Sequence, residues 1–275
     1  MRLHRSLSAG NKRVLILSLV ATAVLSLLPI SSHATVDWNE GFEYASNTSL
    51  AAVWDASCLG NPGVSTDRAF SGSKSVKLVY TGTVGVDPGA GGCFIDRYLP
   101  ALSDTVYLRI YMYMQNFTVN NVGTKMINIG MSGSYPSFWW EMLYGQPSLS
   151  GVVSSTVPTT FNILGGSIPQ NQWACLEGRI TMNTPGVANG IFQTWVNGTQ
   201  QINRTDLLLR NATLTQQNGP NSRLDYVRLY TQHGWGTIYY DDFAVSRDAR
   251  IGCSGSPPPT SDTTPPVPPT GLVIN

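Results

Sequence analysis

Between positions 35 and 253, apolar and polar residues alternate in short runs, and no long stretch repeats at helical spacing. Successive side chains of an extended strand point to opposite faces, so such runs predict half-buried strands. The clearest runs lie at 75–80, 106–114, 125–130, 137–144, 173–182, 190–196, 225–232 and 237–245, rich in Val, Ile, Tyr and Trp between clusters of Gly, Pro, Asn and Ser. Asn197-Gly198 joins the run 190–196 to the run 199–202. That dipeptide suits a two-residue hairpin, whose central residues need positive φ. The pattern predicts an all-β protein built as a sandwich of two antiparallel sheets.

Alternation also assigns faces. In 107–113, Tyr107, Arg109, Tyr111 and Tyr113 share one side, with Leu108, Ile110 and Met112 on the other. In 226–232, Tyr226, Arg228, Tyr230 and Gln232 lie opposite Val227 and Leu229, and the run from Trp173 adds Glu177 and Arg179. If these polar faces belong to one concave sheet, they form a groove of guanidiniums, phenols and an occasional carboxylate. Aromatic faces pack on the C–H surfaces of sugars, and charged groups bond sugar hydroxyls and carboxylates. A solvated sheet face covered by tyrosines follows from the same alternation.

The ends differ from the middle. Arg2, Arg5, Lys12 and Arg13 precede an apolar run at 14–28, which ends in Ser32-His33-Ala34. Basic, apolar and small residues in that order read as a secretory signal over 1–34, and the apolar run is short for the roughly 20 residues of a spanning helix. Export with release follows, to the outside or the periplasm, with no membrane attachment after cleavage. The domain then occupies 35–254, and 255–265 is a Pro, Ser and Thr linker unable to form a core. Without the signal, 13 basic residues face 16 acidic ones, a net charge of −3. A nucleic-acid binder shows a basic excess instead.

Cys58, Cys93, Cys175 and Cys253 form an even set in an oxidising compartment, hence two disulfides with three conceivable pairings. The favoured pairing is Cys58 with Cys93, bracketing a loop-rich stretch, and Cys175 with Cys253, tying the domain's end to an inner strand. Zinc is the rival. It lacks CxxC spacing, and His233 is the one histidine left to help it.

Three segments together resemble the concanavalin-like jelly-roll domains of secreted carbohydrate-active proteins, among them alginate and glucuronan lyases. They are Trp173-Ala-Cys-Leu-Glu-Gly-Arg-Ile-Thr-Met-Asn-Thr-Pro-Gly186, Asn189-Gly-Ile-Phe-Gln-Thr-Trp-Val-Asn-Gly198 and Tyr239-Tyr-Asp-Asp-Phe-Ala-Val245. The resemblance implies a jelly-roll sandwich in which the first two segments are consecutive strands and a hairpin of the large sheet and the third is a closing strand. Residues 266–275 resemble the start of a fibronectin type III module, of which about one strand is present.

A glycosidase needs two carboxyl groups across the scissile bond, and only Glu40, Glu43, Glu141 and Glu177 exist, without a Glu-x-Asp-x-Glu strand. A lyase needs a group to neutralise a uronate carboxylate, a base for the C5 proton and an acid for the leaving oxygen. Arg109 or Arg228 suits the first task. Tyr111, Tyr230 or His233 suits proton transfer, a tyrosine acting as base only where a cation lowers its pKa. Lys125 resembles the Gly-Gly-Lys strand entry of alginate-lyase-like jelly rolls, although the Leu-Pro-Gly continuation is absent.

The expected catalytic set is therefore Arg109, Lys125, Tyr230 and His233, with Tyr111, Tyr113, Trp140, Glu177, Arg179 and Arg228 binding substrate. The partner is a polysaccharide with acidic sugars, and the rival readings are a binding module using Trp140 and the tyrosines as platforms and an extracellular interaction domain. No cofactor is expected for chemistry. Gly41-Phe42-Glu43 and Tyr240-Asp241-Asp242-Phe243 resemble the segments that hold structural calcium in β-sandwich carbohydrate-binding modules, implying Glu43 and Asp242 as ligands. Turn capping by Glu43 and a solvated Asp pair is the plain alternative.

Overall fold

A computed structural model describes residues 34–58, 60–81, 93–118, 124–131, 134–142, 148–154, 161–213, 219–232 and 234–253. The segment read as a signal up to residue 33, the linker and the fibronectin-like residues lie outside the described residues, as does His233.

Fifteen strands and one short helix follow each other along the described chain. They are β1 (Trp38–Glu40), α1 (Asn47–Ala51), β2 (Asp55–Ala56), β3 (Gly63–Ser65), β4 (Ser75–Thr81), β5 (Cys93–Ser103), β6 (Thr105–Thr118) and β7 (Thr124–Met131). Then come β8 (Ser134–Met142), β9 (Ser148–Ser154), β10 (Phe161–Ser167), β11 (Trp173–Thr181), β12 (Gly190–Val196), β13 (Thr199–Leu207), β14 (Leu224–Gln232) and β15 (Trp235–Ser246). One sheet of eight strands has the order β13-β12-β11-β6-β15-β4-β3, with β1 also on β15. The other, of seven strands, has the order β10-β9-β8-β7-β14-β5-β2. Paired neighbours run antiparallel, which makes the expected all-β sandwich.

Within the described residues all eight runs expected from alternation form strands, and Leu143 and Tyr144 of the run 137–144 lie outside them. Asn197 and Gly198 take φ of 49° and 80° and turn β12 into β13. The family segments fall on β11, β12 and β15, and β15 lies between β6 and β4 inside its sheet. Both disulfides have the favoured pairing, Cys58–Cys93 and Cys175–Cys253.

The core fills the space between the sheets. Leu108, Ile110, Met112, Leu176 and Ile180 enter it from one side, and Ile127, Ile129, Val227 and Leu229 from the other. Each such burial contributes about 2 kcal/mol. At one end Trp38, Phe42, Trp54 and Phe243 pack with ring centroids 5.0–6.1 Å apart.

Candidate active site on the seven-stranded sheet

The two Arg and Tyr strands do not share a sheet. β6 pairs with β11 in the eight-stranded sheet, whereas β14 lies between β7 and β5 in the other. Both send their apolar residues into the one core. The polar face of β6 and β11 therefore looks away from that of β14, and the single groove expected from the sequence does not form. Alternation fixes which residues share a strand face. It does not fix which strands share a sheet.

The outer face of the eight-stranded sheet is covered by its own chain. Phe70 stacks on Tyr111 at 3.6 Å, Trp173 meets Phe70 and Tyr113 edge-on, and the Arg68 guanidinium lies 4.3 Å over Tyr113. Tyr111 and Tyr113 are consequently buried. Asp241, the register partner of Tyr111, accepts from the Phe70 and Ser71 amides at 2.7 and 3.0 Å and pins this loop.

Beside it the C-terminal segment crosses the sheet. Glu177 is 1% exposed and accepts from Arg250 and from the Gly252 amide at 2.8 Å, next to the disulfide that bonds Cys253 to β11. Arg109 donates to the Gly252 carbonyl at 3.4 Å. Arg179 reaches Gln193 and lies 5.3 Å over Tyr107. Arg109, Tyr111, Tyr113 and Glu177 thus stand together, but in contacts that dock a loop and a strap, and Arg179 lies against the neighbouring strands.

The outer face of the seven-stranded sheet is arranged differently. Arg228 donates from Nε and Nη2 to the two oxygens of Asp96 at 2.6 and 2.7 Å, leaving Nη1 without a partner among the described residues. Its plane lies 3.7 Å over Phe94, with Tyr226 and Tyr230 at 5.6 and 5.8 Å. This fork geometry holds a guanidinium in one orientation as no lysine would be held. Asn128, the register partner of Arg228 on β7, accepts from the Tyr226 hydroxyl at 2.5 Å. Lys125, half-buried, lies further along β7 as the register partner of Gln232 and of Glu141. Tyr98, register partner of Tyr226 on β5, is 56% exposed.

Burial raises the Tyr230 phenol above its ordinary range, with Arg228 opposing, and raises Tyr226 to about 12 for the same reason. The nearby cation does not turn these phenols into bases, so at neutral pH both are proton donors. Burial works against the Arg228 charge, but the Asp96 carboxylate outweighs it and holds the pKa above the ordinary value.

Glu43 and Asp242 converge on one loop. Glu43 accepts from the Ser73 and Lys74 amides at 2.7 and 2.8 Å and from the Ser73 hydroxyl at 2.8 Å, while Asp242 accepts from the Ser71 hydroxyl at 2.8 Å. These oxygens meet N–H and O–H donors of the loop at 71–74. Among the described residues the one close trio of metal-ligand types is Cys175, Glu177 and Cys253, whose two sulfurs are joined to each other.

Of the remaining expected residues, Trp140 is the register partner of Ile127 and Trp139 that of Asn128, and both side chains lie outside the described residues. Sequence reasoning missed Phe94, Asp96, Tyr98 and Asn128. The first three were readable, since Phe94, Asp96 and Tyr98 alternate with Ile95 and Leu99 along β5.

No family model matches the chain, and neither does any curated protein. Solved structures do resemble it. A double mutant of alginate lyase Aly36B, in complex with an alginate trisaccharide, is 13% identical with a TM-score of 0.57, covering 78% of this chain and 100% of that one. The marine alginate lyase from Aplysia kurodai is 15% identical with a TM-score of 0.57, covering 78% and 100%. The endo-β-1,4-glucuronan lyase from the fungus Trichoderma reesei is 10% identical with a TM-score of 0.51, covering 77% and 90%. This chain has the β-sandwich jelly-roll fold of those polysaccharide lyases.

Proposed function

We propose that the protein is a secreted polysaccharide lyase that cleaves a uronate-containing glycan by β-elimination on the outer face of the seven-stranded sheet. The observation that carries this reading is Arg228, a guanidinium locked by Asp96 and Phe94 with Nη1 spare and two protonated phenols beside it. The likeness to alginate and glucuronan lyases supports it. Two disulfides support export.

In this reading Arg228 pairs with the uronate carboxylate, and the buried Asn128 holds the Tyr226 phenol beside it. Neutralising that charge makes the C5 proton removable. A base takes the proton, the C–H electron pair becomes the C4–C5 double bond, and the C4–O bond breaks. Tyr230, held protonated, gives its proton to the departing oxygen. Lys125, the register partner of Gln232, and His233, the next residue in the sequence after Gln232, are the candidates for the base.

The test is the ultraviolet absorbance of the new conjugated double bond after mixing the full chain with a panel of acidic polysaccharides. A rise on one polymer, lost in Arg228→Ala, is expected. No rise on any, with the protein retarded in gels containing those polymers, replaces the lyase by a binding module. The exposed Tyr98 beside Tyr226 favours that second reading, because an exposed aromatic ring is a sugar platform needing no proton transfer.

A further inference from the structure

One buried polar group reaches the candidate face from the opposite sheet. Tyr80 belongs to β4, and its side chain crosses the core. Its hydroxyl donates to the backbone carbonyl of Tyr230 at 2.6 Å and lies 3.2 Å from that of Lys125. The ring packs edge-on against Phe117 at 4.8 Å and is 5% exposed. Burial, with Tyr240 adding to it, lifts this phenol well above the ordinary range, so it remains a donor.

The backbone it grips is irregular. Leu229 pairs with Ile127, and the next partners are Gln232 and Lys125, so Tyr230 and Thr231 stand opposite the single Met126. On the other side of β7, Lys125 pairs with Glu141 and Ile127 with Trp140, so β8 offers nothing opposite Met126. A bulge disrupts the ladder locally and re-aims side chains. The β7–β14 ladder therefore does not set where Tyr230 stands relative to Lys125, although β5 still pairs with Tyr230 through Phe94. The chain then returns tightly past Phe117. Gly234 has φ of 116°, and a Cβ there would lie 2.9 Å from Thr124 Oγ1 and 3.1 Å from the Phe117 ring.

We propose that Tyr80 is a positioning residue, whose hydroxyl ties the carbonyls of Tyr230 and Lys125 across the bulge and so sets where their side chains stand on the outer face. The catalytic meaning of this tie rests on the elimination reading, whereas the tie itself does not. Removing the hydroxyl lets the bulge relax without emptying the core, because phenylalanine fills the same space. Misplacement of reacting groups then lowers turnover more than binding.

The experiment compares Tyr80→Phe with Leu78→Ala, a core substitution two residues away in β4 that leaves both carbonyls held. The full chain carries ring-labelled tyrosine, and the Tyr230 signal is assigned by its loss in Tyr230→Phe. In Tyr80→Phe the Tyr230 signal moves, and kcat falls about tenfold with KM within about twofold of wild type. In Leu78→Ala the melting temperature drops while signal and kcat stay. A Tyr230 signal unmoved in Tyr80→Phe, or moved equally in Leu78→Ala, overturns the proposal. If the wild type eliminates no uronate polymer, the elimination reading falls, and the Tyr230 signal still decides the tie.

Discussion

The two outer faces carry similar residue types and use them for opposite purposes. On the eight-stranded sheet Tyr111 lies under Phe70, Glu177 holds Arg250 and Gly252, and Arg109 donates to a backbone carbonyl. On the seven-stranded sheet Arg228 is held from one edge by Asp96, has Nη1 without a partner among the described residues, and has an exposed Tyr98 near it. An Arg and Tyr strand is thus equally suited to docking a loop and to meeting a ligand. Among the described residues, what separates the two uses is whether the chain returns over the face.

The sharpest way to break this comparison is to remove an arginine from each face. Arg228→Ala should lower kcat/KM on a uronate polymer by about 10³-fold, as expected for a charge contact in a partly desolvated site. Arg109→Ala should leave it within about threefold, losing stability instead. Equal losses in the two variants would place the substrate elsewhere.

Next in size is the strap. Replacing Cys175 and Cys253 by serine opens a loop of sequence separation 78 and should cost about 4 kcal/mol in chemical denaturation. Uronate turnover by the surviving folded fraction should be unchanged.

The third concerns pH. Burial raises Asp241 to about 7, against the amides of Ser71 and Phe70. The folded chain thus holds this proton more tightly than the unfolded one, so its contribution to stability declines as pH rises from about 4 to 7 and is flat above. The decline is on the order of 4 kcal/mol. Denaturant midpoints of wild type and Asp241→Asn across that range should differ by this slope, and parallel profiles would remove Asp241 as its source. The smallest effect is Phe70→Ala, which should cost about 1–2 kcal/mol by uncovering Tyr111 and leave turnover intact.

Much of this molecule was legible before its structure. Alternation located β4, β6, β7, β11, β12, β14 and β15, because each has one face in the core and one outside it. It gave less for β9, whose Ser-Leu-Ser-Gly-Val-Val-Ser run has weak polarity contrast, and for β5, interrupted by Pro100. The site was legible by strand and illegible by sheet. Arg228 and Tyr230 were readable as neighbours, but their separation from Arg109 and Glu177 depends on long-range pairing that no local pattern encodes. Asp96 was readable as a polar position of β5, but its pairing with Arg228, 132 positions away, was not.

The disulfide at Cys175 has a mechanical consequence. A pull on the chain beyond Cys253 does not peel an edge strand. It passes through a covalent bond into β11, which is flanked by β6 from Trp173 to Thr181 and by β12 from Leu176 to Thr181. Force along β11 loads two rows of hydrogen bonds in shear together, and the Glu177 clamp lies beside the point of attachment. The domain can hang from its own C-terminal end and keep the opposite face undistorted.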